Sequence, residues 1–91
     1  MSETLEQRLM LRNARGMHAR AAMLFVQLAA RFRAEVEVIK DGLVIDGKSV
    51  MAVLSLMAAA GTQITLRVCG EDAQAALAAR AELVGRGCGE A

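Results

Sequence analysis

The stretch Glu35-Val36-Glu37-Val38-Ile39-Lys40-Asp41-Gly42-Leu43-Val44-Ile45 constrains the fold of this chain more than any other. Its first six residues alternate between polar and apolar side chains, the period-two pattern of a strand with one buried face. Asp41-Gly42 is a two-residue hairpin signal, and the apolar piece after it therefore pairs antiparallel with the strand before it. A sheet with one apolar face needs a second layer to cover that face.

The flanking segments supply both layers. Residues Leu5 to Arg12 alternate, with Leu5, Leu9 and Leu11 on one side and Glu6, Arg8 and Arg12 on the other. Thr62 to Cys69 alternates as well, with Ile64, Leu66 and Val68 inward. Between them, Ala19 to Arg33 reads as a helix whose stripe of Ala22, Phe25, Val26, Ala29 and Phe32 suits packing on a sheet. Asp46-Gly47-Lys48 breaks the chain, and Ser49 is an N-cap for a short helix predicted from Val50 to about Ala60 with Gly61 as its C-cap. The capping box there is incomplete, because Ala52 stands where Glu or Gln would close it. A last helix starts near Gly70-Glu71-Asp72 and carries Ala73, Ala76, Leu77, Leu83 and Val84 on one face. Arg80 interrupts this stripe, and its stem is expected to lie along the apolar face while the guanidinium reaches water. Gly85, Gly87 and Gly89 fray the end, so 85–91 reads as a flexible tail.

The order is βαββαβα in a chain of 91 residues, one domain spanning 1–91. The class is α+β: helices on one side of an antiparallel sheet, the other side wet. Arg8, Arg12 and Arg67 on the first and last strands and Glu35 and Glu37 on the second would face water and cross-pair if those strands are neighbours.

Composition narrows the function classes. A net charge of +1 and only Phe25 and Phe32 as aromatics argue against a nucleic-acid binder. Charge is uneven, however: Arg8, Arg12, Arg15, Arg20, Arg31 and Arg33 face only Glu3 and Glu6 in the first third, which suits an acidic partner. Cys69 and Cys88 match no metal or redox spacing, and no metal or other cofactor is expected. No apolar run approaches the length of a bilayer span, and no signal-like segment opens the chain, so a soluble cytoplasmic protein is expected.

Chemistry concentrates in Asn13-Ala14-Arg15-Gly16-Met17-His18-Ala19-Arg20-Ala21-Ala22, where a strand ends, a glycine turns the chain and a helix begins. The only histidine sits at or near the helix N-cap, among N–H groups that lack intrahelical acceptors. Such a position is an anion site. An imidazole there can attack a phosphoryl group, and the product phosphate would be held by the helix end and by Arg20 or Arg15. The helix end contributes about 0.3–1 kcal/mol when exposed, and up to about 2 when partly buried. A charge-assisted hydrogen bond from Arg20 adds about 1.5–3 kcal/mol. The bland alternative is a solvated or capping histidine with solvated arginines beside it.

Asn13-x-x-Gly16-Met17-His18-Ala19-Arg20-x-Ala22, followed by Asp46-Gly47-Lys48-Ser49-Val50-Met51, resembles the phosphocarrier HPr family across essentially the whole chain. The resemblance implies an open-faced β-sandwich, a four-stranded antiparallel sheet of order 1-4-2-3 with three helices on one face. It further implies that His18 accepts a phosphoryl group on Nδ1 from enzyme I, itself charged by phosphoenolpyruvate, and passes it to an EIIA-type protein, with Arg20 beside the phosphate. Many members carry proline after the motif arginine where this chain has Ala21; in a first helical turn that difference is structurally mild. The motifs look closer to the nitrogen-related (NPr) branch.

Ser49 has two readings: a helix N-cap worth about 1 kcal/mol, or, by the resemblance, also a phosphorylation site for HPr kinase/phosphorylase. A phosphoserine would add about −1.5 to −2 charges and repel an acidic partner. Met17, Val50, Met51 and Leu54 form an expected apolar docking surface around His18; alternatively Val53, Leu56 and Met57 take the core and the rest are merely exposed. A regulatory binding module that uses this surface without turning over phosphate is the competing function. A monomer is expected.

Overall fold

A computed structural model describes residues 3–11, 16–56 and 58–85. Four strands, β1 (Glu3–Met10), β2 (Glu35–Lys40), β3 (Leu43–Asp46) and β4 (Gln63–Gly70), alternate with three helices, α1 (Ala19–Ala29), α2 (Val50–Ser55) and α3 (Ala73–Gly85). The element order is the βαββαβα read from the periodicity. All strand pairs are antiparallel and the sheet order is β1-β4-β2-β3, with the helices completing an open-faced sandwich.

The hairpin forms where Asp41-Gly42 signals it. Asp41 has φ 50° and Gly42 φ 81°, left-handed conformations that bring Lys40 opposite Leu43 and Ile39 opposite Val44. Alternation then sorts the two sheet faces. Val36, Val38, Ile64, Leu66 and Val68 are buried against Ala21, Ala22 and Phe25 of α1 and Ala73, Ala76 and Val84 of α3. On the opposite face one row crosses all four strands as Glu6, Arg67, Glu37 and Asp46. Arg67 Nε donates to Glu37 Oε1 at 2.7 Å, and its Nη1 lies 3.5 Å from Glu6 Oε2. The cross-pairing expected of the outward charges is therefore present for Arg67 and Glu37. Arg12 lies outside the described residues.

Two helices end earlier than their periodicity suggests. The expected run to Arg33 stops at Ala29, because Arg31 and Phe32 turn back onto Leu28 O and Ala29 O. The Asp72 carboxylate accepts the next two N–H groups, from Arg33 and Ala34, both at 2.8 Å. An acceptor from the far end of the chain thus replaces the helical carbonyls. Likewise α2 stops at Ser55 instead of near Ala60. Leu56 caps it, its carbonyl accepts from Lys40 Nζ at 3.0 Å, and Ala58 O is taken by Met17 N–H at 2.8 Å. Gly61, expected as the C-cap, instead sits at φ 82° in the turn that Thr62 N–H closes onto Ala59 O. Met57 and the tail 86–91 lie outside the described residues.

The expectation for Arg80 is overturned. The residue is 0% exposed; its guanidinium does not reach water but lies between the rings of Phe25 and Phe32. The stem points inward with the rest of the α3 stripe, which carries the head group to the two rings of the α1 side.

Candidate functional site

His18 is the N-cap of α1. Its backbone is extended (φ −81°, ψ −179°), its carbonyl accepts the first helical bond from Ala22 N–H at 2.8 Å, and its Nδ1 accepts from Arg20 N–H at 3.2 Å. A nitrogen that accepts from an N–H carries no proton itself, so in the neutral ring the proton resides on Nε2. The lone pair of Nδ1 therefore faces the start of the helix. Arg20 is exposed in the first turn, whereas Ala21 and Ala22 are buried and anchor that turn to the core. Where proline is common in this position, Ala21 fills a site with no exposure.

The loop before His18 is set by contact with the segment leaving α2. Gly16 has φ 63°, and a Cβ there would lie 2.7 Å from Ala59 Cα and carbonyl carbon and nearer still to Ala58 O. Only glycine meets both demands, the left-handed turn and the backbone approach. Met17 N–H then bonds Ala58 O, and His18 N–H bonds Gly16 O at 3.0 Å. Arg15 and Asn13, singled out in the same motif, lie outside the described residues.

Ser49 caps α2 as its local sequence suggests. Its backbone is extended (φ −116°, ψ 118°) and Oγ accepts from Ala52 N–H at 3.2 Å. The neighbouring Lys48 is turned the other way, its Nζ donating to Phe32 O at 2.9 Å. Gly47 packs against β2, its N–H donating to Val36 O at 2.7 Å, and a Cβ would come within 2.5 Å of Val36 Cγ1.

The expected apolar docking surface is divided by burial. Met51 is 76% exposed, and Val50 and Leu54 are half-buried with one side against the core. Met17 is only 4% exposed and belongs to the core, a correction to its placement on the surface: its N–H is tied to Ala58 O, which draws the side chain under the loop. Val53 and Leu56 are buried, as the alternative reading had it.

Sequence reasoning missed Asp72 and Lys48 as organisers of the α1–β2 corner. Asp72 is held below the usual carboxylate range, chiefly by the N–H of Arg33, aided by those of Ala34 and Asp72 itself and by Lys48, against the opposing effect of burial. The only local signal was an acid at a helix start. Among the described residues, no three His, Cys, Asp or Glu side chains converge as a metal site, and no helix is long and apolar enough to cross a membrane.

Fold and site together define a small open-faced sandwich with an imidazole at a helix start. Residues 5–86 match the family model described as the PTS HPr component phosphorylation site. The phosphocarrier protein HPr of Neisseria meningitidis serogroup A is 40% identical over 86 residues, covering 94% of this chain and 97% of the relative. A crystal structure of HPr from Thermoanaerobacter tengcongensis superposes with a TM-score of 0.92 at 34% identity, covering 96% of this chain and 98% of that one. The Bacillus subtilis catabolite-repression protein Crh, whose crystal structure is described as a swapped dimer, gives 0.75 at 41% identity over 91% and 95% of the two chains. The chain belongs to the HPr family of phosphocarriers of the phosphotransferase system.

Proposed function

We propose that His18 is the phosphoryl acceptor of this phosphocarrier and Arg20 the residue that steadies the phosphate. The observation that carries the reading is the Nδ1 of His18 facing the α1 N-terminus, 3.2 Å from Arg20 N–H. Attack by the Nδ1 lone pair forms the N–P bond as the bond from phosphorus to the donor breaks, its electron pair leaving with the donor. The Arg20 N–H, released from the ring nitrogen, then donates to a phosphoryl oxygen. The surrounding positive helix end and the exposed guanidinium favour the same charge. Both bonds are modest, so the group is stabilised yet transferable, as a relay requires.

Enzyme I is the donor and an EIIA-type protein the acceptor, with Met51, Val50 and Leu54 as docking residues; the chain acts as a cytoplasmic monomer. The motif residues favour the nitrogen-related branch. The test is incubation with phosphoenolpyruvate and either a sugar-linked or a nitrogen-linked enzyme I, read by mass spectrometry and phosphorus NMR. An acid-labile phosphate is expected on the native chain, slowed in Arg20→Ala and abolished in His18→Ala, and the faster donor names the branch. No label from either donor would overturn the carrier reading, and native kinetics in Arg20→Ala would remove that residue's role.

The likeness to Crh favours a second reading, a regulatory module controlled at Ser49. Its Oγ caps α2 with Ala52 N–H, so a phosphate there would occupy a helix start. Incubation with HPr kinase/phosphorylase is expected to label Ser49; a chain left unmodified beside a labelled control would count against this site.

A further inference from the structure

Arg80 takes no part in the His18 chemistry, and its surroundings fit a cation poorly. The side chain is fully buried, and one of its nitrogens is satisfied: Nη1 donates to Ala76 O, one turn back along α3, at 2.9 Å. Among the described residues, Nε and Nη2 have no acceptor. The guanidinium carbon lies 5.5 Å from the centroid of Phe25 and 5.7 Å from that of Phe32. These rings attract a cation but accept no conventional hydrogen bond from it. Asp72, the carboxylate whose charge acts on Arg80, is already committed to the N–H groups of Arg33 and Ala34. Burial pushes the guanidinium down to about 10 despite that carboxylate.

Replacing a poorly matched buried charge with an aliphatic side chain of similar volume is commonly neutral or stabilising. One turn further along α3 the junction with α1 carries a surface groove. Leu24, Gln27 and Leu28 of α1, Arg31 just beyond it, and Leu83 of α3 line an open groove of about 200 Å³. Leu83 lies three residues after Arg80 and shares its helix face. Past Ala73 and Ala76 the α3 stripe thus meets α1 through one unsatisfied cation and, at Leu83, the rim of a groove, with Val84 the buried residue that follows.

We propose that the last turns of α3, from Arg80 to Gly85, form a weak seam with α1 that opens without unfolding the sheet, as the Arg80 guanidinium turns from the two rings into water. Opening lifts Leu83 and Val84 from the core and widens the α1–α3 groove, while Asp72 keeps the start of α3 fastened to the α1–β2 corner. The hinge therefore lies within α3, between Ala76 and Arg80.

Native-state hydrogen exchange on the full chain tests this. The amides of Leu83 and Val84 are expected to exchange at least tenfold faster than the central-strand amides of β4, with little dependence on low urea. Arg80→Met, or Arg80→Leu, should slow Leu83 and Val84 at least tenfold, and Arg80→Lys should not. Simple end fraying would be indifferent to these substitutions. Exchange of Leu83 and Val84 in step with β4 in the native chain would overturn the proposal. So would unchanged or faster exchange in both aliphatic variants, or failure of both to fold.

Discussion

Gly16→Ala isolates what positions the histidine loop. At φ 63° an alanine pays the left-handed penalty of about 1–2 kcal/mol. Its Cβ would also meet Ala59 Cα and carbonyl carbon at 2.7 Å, with Ala58 O nearer still, and ordinary contact begins only at 3.4 Å. These are backbone atoms, so the loop must move away, and the Met17 N–H to Ala58 O bond of 2.8 Å goes with it. That bond is worth about 1 kcal/mol. The expected total is about 2–3 kcal/mol, which in a domain of this size lowers Tm by about 10–20 °C. Gly61→Ala is the control: it shares a left-handed φ of 82°, but nothing lies within 4 Å of its Cβ position, so it should lose only the conformational part. Urea denaturation of both variants measures the difference. Displacement of His18 should also cut the rate of phosphorylation by enzyme I by about 10²-fold in Gly16→Ala, and leave Gly61→Ala near the native rate. Equal destabilisation by the two substitutions would refute the close-approach reasoning, as would a native transfer rate in Gly16→Ala.

Two further outcomes follow from the same geometry. Asp72 has its folded-state pKa depressed, so its contribution is present above the ordinary carboxylate value near 3.8 and is lost as pH falls through the lower folded value. Asp72→Asn should therefore destabilise the chain at neutral pH and flatten the acid limb of the stability profile, whereas an unchanged acid limb in urea titrations would show that the α1–β2 corner is held otherwise. Met51→Glu places a charge on a side chain that is 76% exposed, so stability should stay within about 0.5 kcal/mol of native while enzyme I binding weakens. Equal affinity by calorimetry would take Met51 out of the docking surface.

What the sequence determined by itself was the local chemistry. The alternating runs became strands, Asp41-Gly42 became the hairpin turn, and His18 and Ser49 became N-caps, because each outcome depends on residues within three or four positions. The sheet order, by contrast, followed from family resemblance, since alternation marks a strand's buried face but not its neighbour. Where elements ended was a tertiary matter. Just past α1 the chain is held by Asp72, 39 and 38 residues from the N–H groups it accepts, and just past α2 by Lys40, 16 residues from the carbonyl it caps. Met17 and Arg80 read as surface groups because Met suits interfaces and Arg suits water, yet both are enclosed. Their burial depends on the Ala58 carbonyl and on two aromatic rings supplied by other parts of the chain. A local pattern records which side of an element is apolar; only the packed structure decides which distant polar group ends it and how deep each side chain lies.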